Sequence, residues 1–420
     1  MVDAKDKSSN RPNKAVKQRE WMLKFWYGIC FTGWVRLLVR NRFRVGWQNW
    51  HHLPCMTAMS IFNSLYRKGQ WVRWGWRIKP IPEDRQPLFI LGHWRSGTTL
   101  LHELLVLDPR HTYPTTYECF APNHFLATQW FACRFLNFLL PSRRPMDNMP
   151  AGWLRPQEDE FALCNLGMQS PYLTIAFPNN PPMDQEYLTL EGLSPRALAR
   201  WKRTYLRFLC EVSYFKPKRI ILKSPPHTCR IETLLEMFPN ARFVHIVRDP
   251  FVVFPSTVHL WKKLYAQTAL QGPEFAGLEE HVFDTFTRMY EKFEAQRHLI
   301  DPSRFCELRY EELVRDPIAS LRSVYETLNL GEFERLLPAL HAYVSSTNGY
   351  ETNRYDLAPE LRDKIAQRWA TFVRKYGYSS GALDPSPIAE RDVETVMHND
   401  SKTVRSPRAA GVGVPADRGA

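Results

Sequence analysis

The residues with the plainest chemical purpose lie in Gly92-His-Trp-Arg-Ser-Gly-Thr-Thr99. Two spaced glycines followed by small hydroxyl residues build a loop whose backbone amides, with a helix N-terminus behind them, cradle an anion. A nucleoside-triphosphate loop of this type needs a lysine directly after its second glycine, to reach the outer phosphates. This chain has Thr98 there, and the cation stands upstream at Arg95. An arginine in that position clamps an anion from the side and stabilises charge developing on a bridging oxygen as a group departs, with no nucleotide-bound metal. The missing lysine argues against a kinase or nucleotidase on the same scaffold. A second concentration of chemistry is Glu158-Asp159-Glu160. It reads as a source of a general base, as an acidic lip that orders a lid or selects a cationic acceptor, or as acids stabilising a helix N-terminus. His51-His52, His102 and His111 lack the carboxylate or cysteine spacing of a zinc site, so no metal is expected.

The elements that position the loop follow from hydrophobic periodicity. Leu88-Phe-Ile-Leu91 reads as a short buried strand, and Leu100, Leu101, Leu104, Leu105 and Leu107 recur at helical spacing up to Asp108-Pro109. The unit is strand, glycine turn, helix. Arg219-Ile-Ile-Leu222 before Lys223-Ser-Pro-Pro-His227, and Arg242–Val247 before Arg248-Asp-Pro250, repeat the pattern, and Phe305-Cys-Glu-Leu308 adds a last strand. Short apolar strands alternating with helices predict an α/β fold, a three-layer sandwich around a central parallel sheet.

The polar residues 1–20 and the aperiodic residues 381–420 read as mobile tails, and Pro80–Pro87 divides a basic helical extension, residues 21–86, from a main domain over residues 87–380. With 420 residues and 44% apolar side chains, the chain is long enough for one large core. Residues 1–79 hold sixteen Lys or Arg against three acids and eight of the fourteen tryptophans, so the net charge of +13 resides there. Tryptophans among cations suit a polar–apolar boundary. The longest uncharged stretch, Phe25–Val35, is too short to span a bilayer, and the first nineteen residues lack the pattern of a signal peptide. The expected location is cytoplasmic, possible partners including an anionic membrane surface; the alternative is that the Trp-rich helices pack on the main domain with their arginines in water. Eight cysteines without a paired spacing read as reduced core residues.

Arg95-Ser96-Gly97-Thr98-Thr99 resembles the 5'-phosphosulfate loop of the sulfotransferases that use 3'-phosphoadenosine 5'-phosphosulfate (PAPS). The closest likeness is to the branch with bacterial and tyrosylprotein enzymes, over roughly residues 87–378 including Asn348-Gly-Tyr350. The resemblance implies a transfer of a sulfuryl group from PAPS to a hydroxyl or amine, without a metal. It implies that Arg248, followed eight positions on by Ser256, binds the 3'-phosphate, where a guanidinium fork and a hydroxyl substitute for a counterion. It also places Lys223 beside the phosphosulfate, and Tyr310, within Leu308-Arg-Tyr-Glu-Glu-Leu313, near the adenosine, where a purely structural role is as good a reading. Two further positions compete as the base: Glu118, after the first helix as in the tyrosylprotein enzymes, and His227, near where cytosolic enzymes hold a histidine. The acceptor stays open among lipid, carbohydrate, peptide and small molecule, and no nucleic acid partner is expected.

Overall fold

The computed structural model describes residues 24–140, 151–346 and 357–378. Both predicted tails and the Asn348–Tyr350 stretch lie outside the described residues. Five strands, β1 (Leu88–Leu91), β2 (His111–Thr112), β3 (Arg219–Lys223), β4 (Arg242–Val247) and β5 (Phe305–Arg309), pair in parallel in the order β2-β3-β1-β4-β5.

The alternation of side chains along each strand builds two cores, one on each face. Leu88 and Ile90 of β1, with Ile221, Val244 and Ile246, pack on the helices Thr98–Leu105 and Pro317–Thr327. Phe89 and Leu91, with Ile220, Leu222, Phe243 and Val247, face a larger cluster that includes the helix Pro250–Thr268. A sheet covered on both faces is the three-layer α/β sandwich expected from the periodicity.

After β1 the chain leaves toward β2 on one side, and after β3 it crosses over β1 to β4 on the other. Connections diverging in this way open a crevice at the carboxyl ends of the central strands, where α/β folds hold their ligands.

The N-terminal residues enter the larger core. Phe25, Trp26, Ile29, Trp34, Leu37 and Met56 are among its buried members. Trp26 Nε1 donates to the carbonyl of Thr268 at 2.8 Å, and Lys24 Nζ to that of Ala269 at 2.9 Å. Gly28 fits so closely that an added Cβ would lie 1.6 Å from the carbonyl oxygen of Phe120. The tryptophans divide: Trp26 and Trp34 are core, whereas Trp47, Trp50, Trp71 and Trp76 stand exposed.

Candidate active site

Between the end of β1 and the helix Thr98–Leu105 the backbone turns sharply. Gly92 has φ +148°, and Gly97, the residue that caps the helix, has φ +98°. Packing as well as φ requires glycine at both: a Cβ on Gly97 would sit 2.3 Å from Cδ2 of Tyr310, and one on Gly92 2.8 Å from the carbonyl oxygen of Ile246. Ser96 Oγ donates to the carbonyl of His93 at 2.7 Å, and the Thr228 hydroxyl accepts from the amide of Gly92 at 2.8 Å. Thr98 and Thr99 open the helix.

Arg95 also has a positive φ, +68°, which costs a non-glycine residue about 1 kcal/mol. Its surroundings hold it there. Its Nε donates to Ser256 Oγ at 2.8 Å, and its carbonyl accepts from Arg248 Nη1 at 3.2 Å. The Arg248 guanidinium in turn lies 3.9 Å above the ring of Tyr310, the same ring that abuts Gly97. Arg95, Gly97, Arg248, Ser256 and Tyr310 thus meet at one point, although Ser256 is 161 residues from Arg95.

A second cluster joins the loop through its tryptophan. Trp94 Nε1 donates to the hydroxyl of Tyr172 at 3.0 Å, that hydroxyl donates to Glu158 Oε2 at 2.5 Å, and Lys223 Nζ donates to Glu158 Oε1 at 2.6 Å. Glu158 precedes the helix Asp159–Asn165, and each acid of the triplet meets its own base from the end of β3 or the segment after it. Asp159 Oδ2 lies 2.7 Å from His227 Nε2, and its Oδ1 accepts from Ser224 Oγ at 2.8 Å. Glu160 takes both terminal nitrogens of Arg230, at 2.7 and 3.3 Å. Burial pushes the Asp159 carboxyl up, but His227, Tyr205 and Ser224 outweigh it and hold it below the usual carboxylate range. Burial, and after it the negative charge of Glu158, drive the Tyr172 hydroxyl well above its ordinary pKa, so it remains a proton donor to Glu158.

These contacts separate the three candidate bases. The side chains of His227 and Asp159 are wholly enclosed, with Tyr205 OH 3.1 Å from the same ring nitrogen. Glu118 is engaged by its own helix, Thr116–Phe120: its Oε2 accepts from the amide of Thr115 at 2.8 Å, and its amide donates to Thr115 Oγ1, a reciprocal cap. Burial raises the Glu118 carboxyl pKa, and the bonds from Thr115 oppose that rise. Glu158, with a side chain 13% exposed, is the carboxylate of these candidates that is both partly exposed and bonded to Lys223. In the sequence Glu158 stands out only as a member of an acidic run that could supply a base; its pairing with Lys223 joins positions 65 residues apart, and no local spacing announces it. Among the described residues no group of His, Cys, Asp and Glu is placed to hold a metal ion.

A profile described as Sulfotransferase family matches residues 87–335. The chain belongs to the sulfotransferase family. Two relatives named omega-hydroxy-beta-dihydromenaquinone-9 sulfotransferase Stf3, from Mycobacterium bovis and Mycobacterium tuberculosis, are each 48% identical over 382 residues, 91% of this chain and 98% of the relative. Among solved structures, sulfotransferase STF1 from Mycobacterium tuberculosis H37Rv superposes with a TM-score of 0.57 at 19% identity, covering 85% of this chain and 95% of that one. Sulfotransferase STF9 from Mycobacterium avium gives 0.55 at 18% identity, covering 76% and 84%. At such identity the two structures speak for the fold alone. The sulfotransferase described here moves a sulfuryl group to an acceptor, and its glycine loop lies at the carboxyl end of β1, where α/β folds hold their ligands.

Proposed function

We propose that this sulfotransferase draws its sulfuryl group from PAPS and delivers it to the terminal hydroxyl of an isoprenoid quinol lipid at the cytoplasmic face of an anionic membrane. The meeting of Arg95, Ser256 and Arg248 at the loop carries the donor reading. Two guanidinium groups and a hydroxyl, beside the amides of Ser96, Gly97, Thr98 and Thr99, suit a ligand anionic at both ends. Arg95 and the loop receive the phosphosulfate end, and Arg248 with Ser256 receives the 3'-phosphate. Tyr310 backs Arg248 and shapes the loop through Gly97. The sulfotransferases of known name that align over nearly their whole length act on a hydroxylated menaquinone, which supports the lipid acceptor. Eight free cysteines and the acid-free cationic surface of residues 24–79 support a reducing compartment and a membrane face.

The chemistry asks three things of the protein. Glu158 takes the proton of the acceptor hydroxyl as its oxygen attacks sulfur. Lys223, held against Glu158 until then, turns to the sulfuryl oxygens, frees the carboxylate and offsets the charge that builds there. Arg95 stabilises the bridging oxygen, which keeps the electron pair of the breaking S–O bond on the departing phosphate. The neutral Tyr172 hydroxyl orients Glu158 throughout. Glu118 and His227, the other bases read from the sequence, are assigned here to support: Glu118 caps its helix, and His227 anchors Asp159. The test is transfer of label from PAPS carrying radioactive sulfur to a hydroxylated isoprenoid quinol, with no added magnesium. Label appearing only on water-soluble phenols or sugars would overturn the acceptor, and tight binding of Mg-ATP without binding of 3'-phosphoadenosine 5'-phosphate (PAP) would overturn the donor.

A further inference from the structure

The helix His52–Trp74 is built inside out. Its inward positions are Ser60, Asn63 and Gln70 beside Met56, and Asn63 and Gln70 make hydrogen bonds to the body of the protein. Asn63 Nδ2 donates to the carbonyls of Tyr27 and Ile29, and Gln70 Oε1 accepts from the amide of Leu126 at 3.0 Å. Its outward stripe, at helical spacing, is Ile61, Leu65, Lys68 and Val72, with Leu65 61% and Val72 68% exposed. A helix facing water on that side carries the opposite pattern.

Its neighbour repeats the arrangement. The helix Phe31–Arg40 buries Trp34, Leu37 and Leu38 and turns Phe31, Val35 and Val39 outward. The amide of Phe31 bonds to Ser64 Oγ at 2.8 Å, so the two outward stripes adjoin. Beyond Gln70 begins the helix Phe125–Phe135, with Trp130 77% exposed and Phe131, Phe135 and Phe138 also out. Charge agrees with this arrangement: residues 24–79 and 125–140 contain eleven Lys or Arg and no Asp or Glu. No helix among the described residues is long and apolar enough to cross a membrane.

We propose that the outward stripes of the helices Phe31–Arg40 and His52–Trp74, together with the aromatic segment from Phe125 to Phe138, form one face that embeds in the headgroup layer of an anionic bilayer. The partner is a lipid surface because segments that carry cations and no acids of their own also expose aliphatic and aromatic side chains, which matches the two properties of that surface at once. Residues 125–138 also pack on the segment that leads to the acid cluster: Tyr117 OH donates to Thr128 Oγ1 at 2.8 Å, and Trp153 Nε1 donates to the carbonyl of Leu136 at 3.0 Å. Trp153 lies five residues before Glu158. A lipid leaving the bilayer at Trp130 and Phe138 meets the acid cluster next, so the loading role rests on the lipid-acceptor reading above, whereas the docking face does not.

The experiment floats the full chain with vesicles of phosphatidylglycerol and phosphatidylcholine, and with phosphatidylcholine alone, in the absence of any acceptor. Leu65→Glu with Val72→Glu, and separately Trp130→Ser with Phe131→Ser, are compared with wild type, with thermal unfolding as the check on folding. The expected result is capture by anionic vesicles that falls at least roughly 10-fold in each variant, the loss of burial of one or two large apolar side chains. In the Leu65→Glu with Val72→Glu variant, transfer to a short, water-soluble isoprenoid alcohol stays unchanged. Equal flotation of the variants, or none by wild type, overturns the proposal. So does a dimer in light scattering that the glutamates dissociate while vesicles capture nothing, since the face then belongs to a second copy. Flotation without any sulfation of an isoprenoid alcohol supports the face and removes the acceptor reading.

Discussion

At the scale of single residues, the arginines of the site were legible and its carboxylates were not. Arg95 and Arg248 stand in short local patterns, so the role proposed for each can be read without knowledge of contacts. Glu158 acquires its meaning from Lys223, 65 residues away, and from Tyr172, and no local pattern encodes that meeting. Glu118 has the opposite history: its place after the first helix suggested a base, yet the Thr115 amide occupies the oxygen a base would use. Glu158→Gln is therefore expected to lower kcat by about 100-fold or more while PAP binding by calorimetry changes little, the usual loss on removing a general base. Glu118→Ala is expected to cost about 1 kcal/mol of stability as a lost cap, with turnover of the folded enzyme kept. The reverse pattern in these two variants would return the base to Glu118. Arg248→Ala should weaken PAP binding by about 2–4 kcal/mol, because it leaves a desolvated phosphate without its partner; an unaltered dissociation constant would remove Arg248 from the donor site.

At the scale of elements, the four longer strands were readable as apolar runs, while β2, two residues long, gives periodicity nothing to act on. The inside-out helix shows a different limit. Its alternation is visible in the sequence, but which side meets the protein is decided by partners such as Tyr27, Ile29 and Leu126. The junction after the loop helix makes a pH test possible. Burial pushes the Asp108 carboxyl up, but bonds from the Arg110 side chain and amide and from Tyr325 OH outweigh it and bring its pKa to about 2, against an ordinary 3.8. A carboxyl depressed on folding stabilises the protein above the unfolded value, and that contribution fades as pH falls through the folded one. About 2 kcal/mol should thus vanish between roughly pH 4 and pH 2. Asp108→Asn should be less stable than wild type at pH 7, and the gap should close in acid; denaturant melts across that range check it, and a gap constant with pH would refute it.

At the scale of the molecule, the family match begins at residue 87, yet the core does not. Trp26 and Trp34 lie within the larger cluster, and Lys24 and Trp26 tie down the end of the helix that carries Ser256. A chain starting at residue 80 should therefore fail to give a soluble, cooperatively melting protein, and Trp26→Ala in the full chain should cost roughly 3–5 kcal/mol. A well-folded truncated domain in thermal unfolding would contradict this. The composition announced the charge imbalance of the first 79 residues but not that they serve twice, as core on one side and as an outward apolar face on the other. The bond between Arg95 and Ser256 carries a kinetic implication. It joins the groups proposed for opposite ends of the donor, and both ends persist in the spent nucleotide. On that proposal PAP keeps most of the grip that PAPS has, and departure of the used nucleotide is the step expected to set the pace at saturating donor.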